Sequence, residues 1–129
     1  MLQKAYNKDL KSALKQMARK NLLSTAPPYP VEQAIKRLGT NLRTARLRRN
    51  LTIAEVAEKI GTGVRPVADA EKGKPGTGIA VYMALLWAYD LLDPVEILAD
   101  PARDQEGLML ELSEGRLRAR GKEDLDSDF

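Results

Sequence analysis

The side chains best suited to bind a ligand are basic residues that crowd the end of one predicted helix: Arg43, Arg46, Arg48 and Arg49. Guanidinium groups bind anions, and phosphate above all. Catalytic chemistry lacks its usual residues, because the chain contains no Cys and no His, the commonest nucleophile, general base and zinc ligands. We therefore expect a binding protein and not an enzyme, with no metal and no cofactor.

Charge is distributed unevenly along the chain. Residues 1–51 hold twelve Lys and Arg against two acidic residues, a net charge of +10. Residues 52–129 hold nine Lys and Arg against sixteen acidic residues, a net charge of −7. This division indicates that the basic part meets a polyanion. The alternative is that its charges only keep helix surfaces hydrated.

The hydrophobic pattern predicts one compact helical domain with tails. Only six residues are aromatic, too few for the strands of a β-sandwich. Residues 1–30 are expected to form a basic arm and a Pro-rich linker without helix from residue 24 onward, residues 31–102 the domain, and residues 103–129 a tail that is disordered from Arg116. The pattern predicts helices at about residues 31–49, 52–60, 64–72, 78–91 and 94–99, and a further one from Asp100-Pro101 to about residue 112.

Local signals mark two short helices in the middle of the domain. Asn50 tolerates the left-handed backbone that ends a helix. Thr52 and Glu55 have the spacing of a capping box, and Gly61 permits a positive φ where the next helix ends. Ala57 is small enough for two helices to cross closely. Two short helices joined by a turn of three or four residues are the geometry of a helix-turn-helix.

Residues 51–73 resemble the Xre family of repressors, whose pattern reads Leu-Ser/Thr-Gln-x-Glu-Leu-Ala, then Gly-Val-Ser, then a helix ending in Glu-x-Gly. The chain matches this pattern at Leu51, Thr52, Glu55, Val56, Ala57, Gly61, Val67, Glu71 and Gly73. It departs from the pattern at Ile53, where the family usually has Gln. The resemblance covers about residues 35–99 and implies an all-α, five-helix lambda-repressor-like helix-turn-helix domain.

A narrower resemblance lies further along the chain. Residues 72–82, 85–88, 91–92 and 99–104 are similar to the Xre regulators encoded beside HipA-type kinase toxins. These HipB-like antitoxins bind their own operators as dimers and hold the kinase in an inactive complex. The resemblance therefore implies three partners, namely palindromic double-stranded DNA, a second copy of the chain and a HipA-type kinase.

In a helix-turn-helix, the second helix lies in the major groove and its N-terminal residues reach the edges of bases. The predicted base-contacting residues are Val64, Arg65, Pro66, Ala68 and Asp69. Arg65 alone among them has the two donors that bind guanine. Phosphate contacts are predicted for Arg43, Arg46, Arg49, Thr52, Lys72 and Lys74.

Two further surfaces are predicted outside the DNA-reading unit. The dimer surface is predicted at Ile79, Tyr82, Leu86, Tyr89, Leu92 and Val95. For Tyr82 and Tyr89 the alternative is a place in the core of one chain, where Leu85 and Trp87 are also expected. A partner-binding segment is predicted at Leu125 and Phe129 in the acidic end, the alternative being that this charge only keeps the protein soluble.

These patterns together predict a sequence-specific DNA-binding transcriptional regulator that acts as a HipB-like antitoxin and autorepressor. Two alternatives stay open, a stand-alone repressor of a phage or mobile element and an adaptor that keeps the fold but binds protein. The longest uncharged apolar stretch, residues 78–89, is shorter than the about 20 residues that span a bilayer. We therefore expect a cytoplasmic protein that does not enter the membrane.

Overall fold

The computed structural model describes residues 9–12 and 22–126, and within these ranges the chain forms helices and turns but no β-strand. The prediction of an all-helical protein is confirmed for these residues, whereas the five-helix lambda-repressor-like arrangement stays a prediction. The chain divides into two compact units, Met1–Leu92 and Asp93–Phe129. Among the described helices, none has both the length and the apolar character to cross a bilayer.

The first long helix, α1, spans Tyr29–Arg48. It begins two residues earlier than the hydrophobic pattern predicts, and residues 22–25 are also helical. The expectation that prolines exclude helix from this stretch is wrong because Pro30 lies in the first turn of α1, where a missing N–H costs no hydrogen bond. After α1 the chain turns through Asn50, whose φ of 53° is the left-handed conformation predicted there.

Three shorter helices complete the first unit: α2 (Ile53–Ile60), α3 (Val64–Glu71) and α4 (Ile79–Ala88). The helix α3 is central, because it packs against α1, α2 and α4. Each of these four helices contributes apolar side chains to one buried core, which consists of Leu42, Ala45, Val56, Ala57, Val67, Ala70, Tyr82, Leu85 and Tyr89. Burial of this core holds the exposed face of α3 in a fixed orientation relative to α1 and α2.

The end of α3 lies against the backbone of α1. A Cβ added to Gly39 would lie 2.5 Å from the carbonyl oxygen of Ala70, and one added to Gly73 would lie 2.5 Å from the Cα of Lys36. Gly73 also has a φ of 66°, which L side chains rarely adopt. The two glycines therefore permit an approach that no larger residue would allow.

The second unit contains a 3₁₀ helix, Asp93–Ile97, and a long helix, α5, at Gln105–Asp126. The predicted helix start at Asp100 is wrong, because the Asp100 carboxylate accepts a hydrogen bond from the Ala102 N–H at 3.0 Å in a local turn. Asp104 caps α5 instead, accepting from the Gly107 N–H at 2.9 Å.

The helix α5 is also longer than predicted. The expectation of disorder from Arg116 onward is wrong for residues 116–126, which are helical. This segment contains Leu, Arg, Ala, Lys and Glu, which are among the strongest helix formers. Their intrinsic preference accounts for a helix that has no regular apolar face.

Candidate nucleic-acid interface

The start of α2 is fixed by a reciprocal pair of hydrogen bonds. The Thr52 hydroxyl accepts from the Glu55 N–H at 3.1 Å, and the Glu55 carboxylate accepts from the Thr52 N–H at 3.2 Å. This is the predicted capping box. At the other end, Gly61 has a φ of 79° and opens the three-residue turn to α3. The Thr52 side chain is exposed, as the predicted phosphate contact requires, although its oxygen also serves as the helix cap.

The outer face of α3 carries the five predicted base-contacting residues in different degrees of exposure. Val64, 54% exposed, and Arg65 are open to solvent, whereas Pro66, Ala68 and Asp69 are half-buried. With 3.6 residues per turn, Arg65 and Asp69 lie on the side of the helix opposite the buried Val67. The structure thus places one exposed guanidinium and one half-buried carboxylate a turn apart on the outer side of α3.

Asp69 is bound to a residue beyond the end of its own helix. The Lys74 Nζ lies 3.0 Å from an Asp69 carboxylate oxygen. The hydrogen bond from Lys74 holds the pKa of the Asp69 carboxyl below its ordinary value, with smaller contributions from the charges of Arg65 and Lys72. The pair borders an open cleft of about 640 Å³ that Ser24 and Thr25 also line. This pairing was not predicted, although the five-residue spacing across the end of a short helix is visible in the sequence.

Arg46, a predicted phosphate contact, lies in the interior. Its residue surface is 8% exposed, and its Nε and Nη2 atoms each donate to the Glu71 carboxylate at 2.9 Å. A third donor, Nη1, binds the Leu51 carbonyl oxygen at 2.8 Å. The Glu71 carboxylate raises the pKa of Arg46 above its ordinary value. The predicted phosphate contact is therefore wrong, because the donors are used inside the protein to join α1 to α3.

Arg49 also donates to the protein itself. Its Nη1 and Nη2 atoms bind the carbonyl oxygens of Ala45 and Tyr89, both at 2.9 Å, and its guanidinium lies 5.5 Å from the centre of the Tyr89 ring. It thus ties the end of α1 to the end of α4. Arg49 is exposed, but the structure gives it a structural task that the sequence did not indicate.

Two predicted phosphate contacts, Arg43 and Lys72, come together across a cleft between α1 and α3. Both are exposed, and both line an open cleft of about 460 Å³ whose floor includes Ile53 and Ala68. The cleft adjoins the outer face of α3. The lining of the cleft also includes Glu71, whose carboxylate is paired with Arg46, so that Arg43 and Lys72 are the exposed cations at its edge.

The predicted dimer surface is divided by the structure. Tyr82 and Tyr89 are 4% and 1% exposed, so their proposed place in a dimer surface is wrong and the core alternative holds. Leu86 is half-buried against the core, and Leu92 and Val95 fall in different units. Ile79 is exposed, as a dimer contact requires.

Trp87 lies on the surface of α4 and not in the core. It is 57% exposed, so its predicted place in the core is wrong. Ile79, Met83 and Trp87 recur every four residues along α4 and form one stripe, in which Ile79 and Trp87 are exposed and Met83 is half-buried against the core. The spacing is visible in the sequence, but α4 contains only apolar residues and Tyr. Its hydrophobic pattern therefore does not show which side of the helix faces the core. The predicted tail residues lie outside this description: Phe129 is not among the described residues, nor is the side chain of Leu125.

The chain was compared with protein-family models, with curated proteins and with solved structures, and none matches. The resemblance of residues 51–104 to Xre regulators therefore stays a prediction from the sequence. Within the described part of the chain, no group of acidic residues is arranged to hold a metal ion. The geometry that remains to be explained is a basic cleft beside an exposed helix face.

Proposed function

We propose that the protein is a sequence-specific DNA-binding transcriptional regulator that acts in the cytoplasm and reads DNA with α3. The observation that carries the proposal is the exposed Arg65 on α3, next to the cleft formed by Arg43 and Lys72. An arginine so placed has the donors to bind guanine in the major groove, while the flanking cations bind phosphate and set the register.

The test is selection of binding sites from a randomised double-stranded DNA library, followed by anisotropy titrations on the enriched site. Arg65→Ala should lower the affinity for the enriched site about 5- to 150-fold and remove the preference at one base pair. Its affinity for random DNA should stay nearly the same. Arg43→Ala and Lys72→Ala should each weaken binding to both DNAs and reduce the slope of log affinity against log salt by about one unit for each copy of the chain bound. Failure to enrich any sequence would refute the proposal.

A matched control comes from α1 itself. Arg37 is exposed but lines a different cleft, with Pro30 and Asn41. Arg37→Ala removes the same charge as Arg43→Ala and should leave the salt slope unchanged. An equal loss for both variants would mean that only net charge matters, which would favour the alternative of non-specific charge on hydrated helices.

The proposed regulator acts as a dimer through the stripe of Ile79, Met83 and Trp87. Ile79 and Trp87 lie four residues on either side of Met83, so two α4 helices crossing antiparallel at Met83 would place each Ile79 against Trp87 of the partner subunit. Such a self-complementary contact covers apolar surface that a single chain leaves in water. Two reading helices in one dimer would then recognise a palindromic operator.

Trp87 is the only Trp in the chain and reports on this contact directly. Its emission should shift to shorter wavelength as concentration rises through the dimer range, in step with the mass from light scattering. Ile79→Asp should abolish both changes. Tyr29→Asp, at an exposed aromatic position on α1, is the control and should retain them. A monomer at all concentrations would remove the dimer from the proposal.

The similarity to HipB-like antitoxins adds a HipA-type kinase to the proposal. The second unit has exposed apolar side chains, of which Leu98 and Met109 are 69% and 72% exposed, and such surface is typical of sites of protein association. The test is co-purification with a kinase of this type encoded by a neighbouring gene, with Met109→Asp expected to reduce its recovery. If the kinase is not recovered, the stand-alone repressor replaces the antitoxin, and DNA binding is unaffected.

A further inference from the structure

In the ion pair between Asp69 and Lys74, the main chain of Lys74 is held in place while its charged side chain is accessible. The Lys74 N–H donates to the Asp69 carbonyl oxygen at 3.1 Å, and its own carbonyl oxygen accepts from the Tyr82 hydroxyl at 3.1 Å. The main chain of Lys74 is thus held on both sides. Its side chain, in contrast, is 50% exposed, and that of Asp69 is 26% exposed.

A carboxylate in this position conflicts with a DNA-reading surface unless it is neutralised. Asp69 lies one turn after Arg65 on the outer side of α3, where bases and phosphates would approach. In the closed pair, Lys74 cancels its charge. If Lys74 bound a phosphate, the Asp69 carboxylate would lose its partner and would need a hydrogen-bond donor from a base.

We propose that the Asp69–Lys74 pair is a specificity device that opens on DNA: Lys74 moves to a phosphate, and the Asp69 carboxylate accepts a hydrogen bond from the N4 amino group of cytosine. The inference depends on the proposed function, since it assigns a role at the same reading face. Cytosine fits because its major-groove edge presents only the N4 donor to the carboxylate. Adenine places the N7 acceptor beside its N6 donor, and guanine presents acceptors alone.

The opened pair disfavours incorrect bases as well as favouring cytosine. Opposite guanine N7 and O6, or opposite thymine O4, the freed carboxylate would face acceptors and a negative backbone. At such sites the pair stays closed, and Lys74 contributes no phosphate contact. A non-cognate base pair therefore loses two interactions together, one to a base and one to a phosphate.

The experiment is selection from a randomised double-stranded DNA library with the full chain and with the variants Asp69→Ala, Asp69→Asn and Lys74→Ala. The wild-type site should contain a cytosine that Asp69→Ala no longer requires, with a loss of about tenfold or more on the wild-type site. Asp69→Asn should change the preference at that position from cytosine to adenine, because Asn pairs with adenine N6 and N7. Lys74→Ala should lower the salt slope on the wild-type site by about one unit per copy bound.

The control is Glu58→Ala, which makes the same charge change at an exposed position on α2 and should leave the selected site unchanged. Circular dichroism verifies that each variant is folded. The inference is overturned if Asp69→Ala and Asp69→Asn select the same base as the wild type, or if Lys74→Ala leaves the salt slope unchanged. If the wild type selects a site through Arg65 but Asp69 does not affect it, only this inference fails. If the wild type selects no site, the proposed function fails with it.

Discussion

The buried pair of Arg46 and Glu71 should dominate the stability of the first unit. The two side chains are 10% and 6% exposed, and the Arg46 guanidinium donates to both carboxylate oxygens and to Leu51. Removal of one partner leaves the other charge buried, which costs about 3–5 kcal/mol. Because a domain of this size is stable by about 5–15 kcal/mol, Arg46→Ala or Glu71→Ala should remove a large part of its stability.

Urea unfolding followed by circular dichroism measures this loss as a lower midpoint with an unchanged slope. The double variant Arg46→Met/Glu71→Leu should be much more stable than either single variant, since it leaves no unpaired charge. Arg46→Lys separates a structural role from a phosphate contact: a lysine can bind phosphate but cannot bind both carboxylate oxygens in parallel. We expect Arg46→Lys to be destabilised as well. A cost below about 1 kcal/mol for both Arg46→Ala and Glu71→Ala would refute the reasoning, because it is the value typical of exposed pairs.

The other predictions concern Tyr89, the pair Gly73 and Gly61, and Thr52, all in the same unit. Within the part of the chain that the structure describes, the buried Tyr89 hydroxyl has no hydrogen-bond partner, so Tyr89→Phe should leave the free energy of unfolding unchanged or raise it by about 1 kcal/mol. Burial also raises the pKa of Tyr89, so the unfolded state loses its phenolic proton first and stability should fall as the pH rises above about 10; the fall should be smaller in Tyr89→Phe. Gly73→Ala combines a positive φ with a contact against Lys36 and should cost more than 2 kcal/mol, whereas Gly61→Ala has open space and should cost about 1 kcal/mol; equal costs in denaturation would contradict the close approach. Thr52→Ala should cost about 1 kcal/mol through loss of the cap, and no change in thermal midpoint would contradict that role.

Features that depend on neighbouring residues could be predicted from the sequence. The cap at Thr52 needs only Glu55, three residues away, and the left-handed residues Asn50 and Gly61 depend on their own backbone preferences. The order and approximate bounds of α1 to α4 followed from the spacing of apolar residues, because the core needs one face of each helix.

Features that depend on distant residues could not be predicted in this way. Arg43 and Arg46 are three residues apart on one helix, and nothing local distinguishes the exposed one from the one that meets Glu71, 25 positions further along. From the sequence, Trp87 and Leu85 are assigned to a different face of α4 from the predicted dimer residues, and that face is expected to fill the core. The helix α4 is apolar on every side, however, and only its contacts with α2 and α3 decide which side is covered.

The internal hydrogen bonds of Arg46 and Arg49 change the salt dependence expected of the proposed DNA-binding dimer. The sequence predicts five cationic phosphate contacts per chain, or ten per dimer, and hence a slope of log affinity against log salt of about −9. Arg46 is buried, and Arg49, although exposed, donates to the carbonyl oxygens of Ala45 and Tyr89. Arg43, Lys72 and Lys74 remain, which gives about six contacts per dimer and a slope of about −5. Titration of the selected site between low and moderate salt distinguishes these values. A slope near −9 would mean that, in the DNA complex, Arg46 gives up Glu71 and Arg49 gives up Tyr89 in order to bind phosphate. The cost of an unpaired buried carboxylate argues against this.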